Sequence, residues 1–216
     1  MSNFPPQVTH ATPGWRLVWA DLVPRSGPAE VAAALLSGAA DFARRTYTLE
    51  TLASNPTANA VRKLFRAAGC DPTRYRPSSE ALLRRLLKGE DLPAIHPLVD
   101  LNNALSVRLA VPSCVMDVAA VAPPFVLRTG SPGETMQSMR GPLDLTGKPL
   151  LADVRGPFGT PITDGEHVKV TGRTERAWLV AYVPIELVPT RVVEDELARL
   201  LAAAPVADLR GTGSTN

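Results

Sequence analysis

Residues 97–114 read PLVDLNNALSVRLAVPSC, and two adjacent asparagines interrupt an otherwise largely aliphatic segment. At about 100° per residue, as in an α-helix, Asn102, Asn103 and Ser106 fall within an arc of roughly 100°. An amide buried without hydrogen-bond partners costs about 1–3 kcal/mol. The polar arc is therefore either an internally hydrogen-bonded structural feature or one wall of a ligand pocket.

Helical patterns precede this segment in direct succession. Residues 28–45, 55–69 and 77–89 have helical composition, with proline near each start and glycine ending the last two. Ser78 has the residue type and position of an N-cap. An opening strand is predicted at residues 15–23, between a Pro-Gly pair and a proline.

Short β-type runs begin at Pro123 and are separated by glycine and proline. They read PFVLRTG, ETMQSM, PLLADV, HVKVT and AWLVAYVP, and a helical pattern returns at residues 190–205. Helices first and strands later favour an α+β fold with a mixed or antiparallel sheet. One domain is expected over residues 1–208, and residues 209–216 are expected to be a disordered tail.

Composition argues against several classes of protein. The chain is 45% hydrophobic and 20% charged, which is typical of a globular domain. Two cysteines and three scattered histidines are too few for a disulfide framework or a structural zinc site, so no metal or cofactor is expected. Neither a leader sequence nor a membrane-length apolar run is visible, so we expect a cytoplasmic protein with no membrane association.

Positive charge is concentrated in one block although the net charge is only +2. Eight basic residues and two acidic ones lie between Arg62 and Lys88. Such a block is either a solvated helical face or a docking surface for a phosphate backbone. The candidate RNA-contacting residues are Arg74, Arg76, Arg84, Arg85 and Lys88. Since Arg84 and Arg85 are adjacent in a helix, they cannot both face one surface.

Two longer stretches carry a family resemblance. They read GCDPTRYRPSSEALLRRLLKGEDLPAIHPLVDLNNALSVRLAVP and LLADVRGPFGTPITDGEHVKVTGRTERAWLVAYVP. Both resemble free-standing relatives of the editing domain of the phenylalanyl-tRNA synthetase beta chain, and the resemblance covers roughly residues 57–185. In the synthetase that domain hydrolyses the ester bond between tRNA and a wrongly attached amino acid, chiefly tyrosine.

The resemblance implies a stand-alone aminoacyl-tRNA deacylase that acts in trans on the aminoacylated acceptor end of tRNA, with no role for DNA. The alternative is a non-catalytic module that binds tRNA or an amino-acid-like ligand. The amino acid, the tRNA and the oligomeric state are left open.

The pocket residues follow from the same resemblance. Asn102 and Asn103 occupy a Thr-Asn pair of the family, Cys114 replaces its histidine, and Asp117 matches an acidic position. Val180 falls near the glutamate that senses the tyrosine hydroxyl, which implies a smaller or apolar amino acid. The candidate catalytic residues are Asn103 and Cys114, and the candidate substrate-contacting residues are Asn102, Ser106, Gly156, Phe158, Gly159, Thr160 and Val180.

Two chemical routes are compatible with these residues. Asparagine amides and the backbone N–H groups of residues 156–160 could position the ester and stabilise its oxyanion. Alternatively, Cys114 could be a thiolate nucleophile activated by His96 or His167, although a buried inert cysteine is the more common case.

Two further features each have two interpretations. Asp164, Glu166 and His167 form either a catalytic cluster or an exposed turn. Phe158 either stacks on the terminal adenine or fills the core.

Overall fold

Strand β2 (Trp15–Pro24) lies inside an antiparallel sheet of four strands. The computed structural model, which describes residues 4–216, orders the sheet as β10-β2-β9-β3. The other strands are β3 (Ser113–Asp117), β9 (Ala177–Pro184) and β10 (Ala207–Thr215), and every neighbouring pair is antiparallel.

A second sheet packs against the first. It comprises β1 (Val8–His10), β4 (Phe125–Thr129), β7 (Pro149–Asp153) and β8 (Gly156–Gly159), in the order β1-β4-β7-β8. Strand β1 runs parallel to β4, and the other pairs are antiparallel. A hairpin of β5 (Thr135–Ser138) and β6 (Gly141–Asp144) extends beside it.

Most helices cover the opposite face of the first sheet. The helices are α1 (Ala29–Thr46), α2 (Leu49–Leu52), α3 (Pro56–Ala67), α4 (Ser78–Leu87), α5 (Pro97–Leu109) and α6 (Thr190–Ala203). Alternate residues of β2 divide between two cores, because successive side chains of a strand point to opposite faces. Val18, Ala20 and Leu22 pack with α1, α4, α5 and α6, whereas Leu17 and Trp19 pack with the second sheet and α3.

This architecture confirms the predicted α+β class, with helices, a central sheet and a second sheet in successive layers. The predicted opening strand and the long predicted helices are also present. Within residues 4–216, no helix is long and apolar enough to cross a membrane, and no group of three or more histidine, cysteine or acidic side chains is arranged to hold a metal ion.

The predictions for Ser78 and for the HVKVT run differ from the structure. Helix α4 is preceded by Pro77, and the Ser78 hydroxyl has no hydrogen-bond partner, so Ser78 is not an N-cap. Its N–H instead donates to Pro161 O at 2.9 Å. The HVKVT run is not a strand, because residues 166–168 form a 3-10 turn.

Residues 209–215, expected to be a disordered tail, belong to β10. Their order comes from the main chain, which pairs with β2 from Ala207 to Thr215 without needing apolar side chains. Gly213 allows Pro5 to pack closely, since a Cβ at that glycine would lie only 2.8 Å from Pro5 Cγ. A tertiary strand partner therefore orders a segment that has no hydrophobic anchor of its own.

Glu80 supplies a buried counter-charge to the basic block. Only 3% of the residue is exposed, and its carboxylate accepts hydrogen bonds from Arg62 at 2.9 and 3.0 Å. Arg84 Nε donates to Glu80 at 2.8 Å, and Arg76 Nε lies 3.7 Å away. One carboxylate thus holds α3, α4 and the turn before α4 together.

We expect the substitution Glu80→Gln to lower the free energy of unfolding by about 2 kcal/mol, because it leaves several partly buried arginines without their counter-charge. Urea denaturation measures this loss. Glu90→Gln is the matched control, since Glu90 is exposed and pairs with Arg85 at 3.4 Å, and it should change stability by less than about 0.5 kcal/mol. Equal effects of the two substitutions would contradict the structural role of Glu80.

Candidate functional site

The polar arc of α5 faces the beginning of β3. Asn102 is buried, and its Nδ2 donates to Ser113 O at 3.4 Å. Ser113 Oγ donates back to Asn102 O at 3.2 Å, and the hydroxyls of Ser106 and Ser113 lie 2.5 Å apart. Asn102 and Ser106 therefore fasten the helix to the strand.

Two polar groups of this arc have no hydrogen-bond partner within the described chain. Asn102 Oδ1 is buried and accepts no hydrogen bond. The amide of Asn103 is half-buried and forms no hydrogen bond with any residue of the described chain. A buried polar atom without a partner calls for an explanation such as a bound water or ligand.

Cys114 lies in the interior between the two sheets. It pairs with Val180 on β9, and both residues are almost completely buried. Cys114 Sγ donates to Tyr182 Oη at 3.4 Å. Burial, and secondarily the Asp164 carboxylate, raises the pKa of the Cys114 thiol well above its usual value. The thiol is thus protonated at neutral pH, and only the thiolate is nucleophilic.

The histidines considered as activators of Cys114 lie elsewhere. His96 Nδ1 accepts the Leu98 N–H at 3.2 Å and caps α5. His167 is exposed. Neither forms a hydrogen bond with Cys114 in the part of the chain that the structure describes.

Gly159 marks the point where three titratable side chains converge. A Cβ built on Gly159 would lie 3.3 Å from Tyr182 Oη, 3.5 Å from Cys114 Sγ and 3.8 Å from Asp164 Oδ1. Any larger residue here would contact all three groups. No sequence pattern indicated a role for Tyr182, because its position depends on the register of β9 against β3.

Asp164 differs from its neighbours Glu166 and His167, which are exposed. The residue as a whole is only half-buried, but its Oδ1 is shielded from solvent and has no hydrogen-bond partner. Burial raises the pKa of Asp164 to about 7, and the nearby polar groups of Cys114 and Val115 oppose this shift. Asp164 thus changes charge near neutral pH.

Residues 156–160 form a turn that has space around Gly156 and is packed into the core at Phe158. Gly156 has φ of +124°, a conformation that favours glycine. Phe158 fills the core, with its ring 6.0 Å from that of Phe125 in edge-to-face geometry. Thr160 Oγ1 donates to Thr163 O and accepts the N–H groups of Ile162 and Thr163. Phe158 and Thr160 are therefore engaged within the protein.

The candidate RNA-contacting residues have different partners within the protein. Arg76 and Arg84 share Glu80, whereas Arg85 lies near Glu90 and donates to Asp91 O at 2.8 Å. The Arg74 guanidinium lies over the ring of Tyr75, with 5.2 Å from Cζ to the ring centroid. Lys88 is exposed at the end of α4. Arg74 and Lys88 have no carboxylate within 4 Å among residues 4–216.

A groove of about 750 Å³ opens at the far end of β3. The sequence interpretation missed it, because its walls come from four separate segments of the chain. The groove combines cationic, acidic and apolar side chains. Its lining comprises Asp117, Ala120, residues 135–137, Arg155, Pro157, Glu166, His167, Lys169, Thr171 and Arg173.

The structure is an α+β domain with a polar cluster around β3, formed by Asn102 and Ser106 on the side of α5 and by Cys114, Asp164 and Tyr182 on the side of β8. Residues 60–188 match the model of the B3/4 domain, so the chain belongs to the B3/4 domain family. This confirms the resemblance to the editing domain of the phenylalanyl-tRNA synthetase beta chain.

One solved structure similar to the chain is an N-terminal fragment of the phenylalanyl-tRNA synthetase beta-subunit from Pyrococcus horikoshii. The two are 12% identical with a TM-score of 0.46, and the match covers 93% of this chain and 50% of that one. The chain thus spans about half the length of that fragment. No curated protein matches the sequence.

The raised pKa of Asp164 predicts a definite pH dependence of stability. Its pKa is about 7 in the folded chain and near 3.8 when unfolded. Between these values the folded state binds more protons than the unfolded state, so this carboxyl's contribution falls as pH rises from about 4 to about 7. The slope is at most about 1.4 kcal/mol per pH unit. Urea denaturation across this range should show the slope in the wild type, and Asp164→Asn should remove it. An identical profile for the variant would contradict the assignment.

Cys114 should react slowly in the native protein. Burial also raises the pKa of Cys70, to about 11, so neither thiol is reactive when folded. At pH 8 we expect dithionitrobenzoate to modify Cys114 at least about 100-fold more slowly in the native than in the unfolded chain. Cys70→Ser isolates the Cys114 signal. Rapid native modification would restore the nucleophile hypothesis.

Proposed function

We propose that this chain hydrolyses the ester bond of mischarged aminoacyl-tRNA in trans, acting on a cytoplasmic substrate. Its membership of the B3/4 domain family supports this proposal. The observation that carries it is that two buried, unpartnered oxygens flank the start of β3, with Asn102 Oδ1 on the side of α5 and Asp164 Oδ1 on the side of β8. Retaining such atoms costs stability, and a ligand or a catalytic water would satisfy them.

In this mechanism Asp164 accepts the proton of the attacking water. The water oxygen bonds to the ester carbonyl carbon, and its proton passes to the Asp164 carboxylate. The bond between that carbon and the ribose oxygen then breaks, and the ribose oxygen takes the proton back. A group whose pKa lies near neutrality suits both transfers, and burial places Asp164 in that range.

The two asparagines position the substrate. The Asn103 amide offers donors and an acceptor for the ribose hydroxyls, and Asn102 Oδ1 adds a second acceptor. Backbone N–H groups of residues 156–160 stabilise the developing oxyanion. The cluster is closed in this conformation, so the substrate requires displacement of the loop at residues 160–164.

Val180 favours an apolar or small amino acid. It lies opposite Cys114 in the β3–β9 pairing and offers no hydrogen-bonding group. A site that selects a hydroxyl-bearing side chain needs a polar partner for it. Val180 therefore disfavours amino acids whose side chains carry a hydroxyl group.

The basic block is the proposed contact for the acceptor stem. Arg74 and Lys88 lack carboxylate partners in the described chain, and three arginines share the single charge of Glu80. The block keeps a positive excess after these pairings. Contact with phosphates would weaken as salt is raised.

A non-catalytic binding module is the second candidate, and the environment of Cys114 favours it. The family histidine is replaced by Cys114, whose thiol is buried and donates a hydrogen bond to Tyr182 Oη. In that case tRNA or an amino-acid-like ligand would raise the melting temperature without being hydrolysed. Turnover of a mischarged tRNA would exclude this alternative.

The substitution Asn103→Ala should slow deacylation by about 10- to 100-fold, which corresponds to the loss of roughly 1.5–3 kcal/mol of hydrogen bonding. The assay follows the release of amino acid from a panel of mischarged tRNAs.

Asn59→Ala is the matched control, because Asn59 is also a half-buried asparagine within a helix. It should leave the rate unchanged. If no tRNA in the panel is deacylated faster by the wild type than by Asn103→Ala, the catalytic proposal fails.

A further inference from the structure

The groove at the end of β3 is large enough to hold a ligand. Its lining includes none of the residues of the polar cluster. Its volume of about 750 Å³ lies within the usual range for small-ligand sites. Asp117, at its edge, is three residues from Cys114 along β3, a separation of about 10 Å. Pro157, in its wall, is two residues from Gly159. The groove therefore leads away from the proposed hydrolytic centre.

The cations of the groove are accessible to an anionic ligand. Arg155, Lys169 and Arg173 line it, and all three are exposed. Arg173 has no carboxylate within 4 Å among residues 4–216. Lys169 pairs only with Glu166, at 3.5 Å, and both side chains are about half exposed. A phosphate could replace this weak surface pair.

The remaining lining does not suit a simple inorganic anion. Glu166 is exposed and would repel a bare anion, but its carboxylate and the amide oxygen of exposed Gln137 can accept hydrogen bonds from hydroxyl groups. Met136 and Pro157 add apolar surface against which a flat base can pack. A nucleotide unit presents all three matching features, namely a phosphate, ribose hydroxyls and a base.

The walls of the groove are held in place before any ligand binds. Thr174 Oγ1 donates to Asp117 Oδ2 at 2.7 Å and accepts the Thr171 N–H at 2.9 Å, which ties the segment at residues 166–173 to β3. Arg155 is fixed by its guanidinium bond to Ala120 O and its N–H bond to Asp153 at 2.7 Å. Preorganisation of this kind lowers the entropic cost of binding.

We propose that this groove binds the single-stranded 3′ end of an RNA, with Lys169 and Arg173 contacting phosphates and Glu166 accepting ribose hydroxyls. The inference rests on the proposed function, because that strand carries the ester to be hydrolysed. It places the single strand of the RNA on a surface other than the basic block between Arg62 and Lys88.

The test measures fluorescence anisotropy with a labelled 12-nucleotide single-stranded RNA that ends in CCA, using the full chain. The double variant Lys169→Glu/Arg173→Glu should raise the Kd at least about tenfold at moderate salt, and should reduce the salt slope by about 1.4. The matched control is Arg45→Glu/Arg191→Glu, which makes the same charge change at two exposed arginines on α1 and α6. It should change the Kd by less than about threefold.

Two competitors define the ligand. DNA of the same sequence should bind at least about threefold more weakly, because it lacks the 2′-hydroxyl. Adenosine monophosphate should displace the RNA only at much higher concentration. Displacement at equal concentration would overturn the strand assignment in favour of a free mononucleotide, and equal effects of the two double variants would overturn the groove itself.

The RNA-binding test of the groove and the deacylation assay of the proposed function can give different results. RNA binding that depends on Lys169 and Arg173 but is accompanied by no deacylation sustains the groove and removes the catalytic proposal. Deacylation whose KM is unchanged by Lys169→Glu/Arg173→Glu removes the groove and sustains the catalytic proposal.

Discussion

Strand β9 is buried along all eight of its residues, and this burial on both faces constrains the rest of the molecule. One face needs a helical layer and the other needs a second sheet, because the hydrophobic effect favours the removal of apolar surface from water. Leu179, Ala181 and Val183 pack under the helices, whereas Trp178, Val180 and Tyr182 pack against the second sheet. Cys114 and Tyr182 are thereby buried between the two sheets, whereas Asn102 and Ser106 are buried on the helical side of β3.

Buried polar atoms on both sides of β3 either have hydrogen-bond partners or lower the stability of the fold. The mutual bonds of Asn102, Ser106 and Ser113 satisfy most of the donors and acceptors of the α5 arc. Asn102 Oδ1 is the exception within the arc, and Asp164 Oδ1, on the other side of β3, also has no hydrogen-bond partner. Desolvation is also the first cause of the raised pKa values of Cys114 and Asp164. The same enclosure thus makes the thiol inert and gives the carboxyl a pKa suited to proton transfer.

The charged residues of the basic block and of the groove are arranged differently along the sequence and on the folded protein. The basic block looks continuous in sequence, but Glu80 neutralises part of it from inside and leaves its members pointing to different partners. The groove shows the opposite case, since Arg155, Lys169 and Arg173 are separated along the chain and come together only through the packing of β3, β5, β8 and the segment at residues 166–173. Charge density in a sequence is therefore a poor guide to charge density on a surface.

The sequence by itself determined the fold class, the long helices, the opening strand, the family and the amphipathic polar arc of α5, because these depend on local periodicity and contiguous motifs. Tertiary structure alone decided that Asn102 and Ser106 bond β3 while Asn103 stays free, and that Asp164 is enclosed while Glu166 is exposed. It also decided that residues 209–215 form a strand and that a groove exists. These outcomes depend on strand register and on contacts between segments far apart in the chain, and no local pattern encodes them.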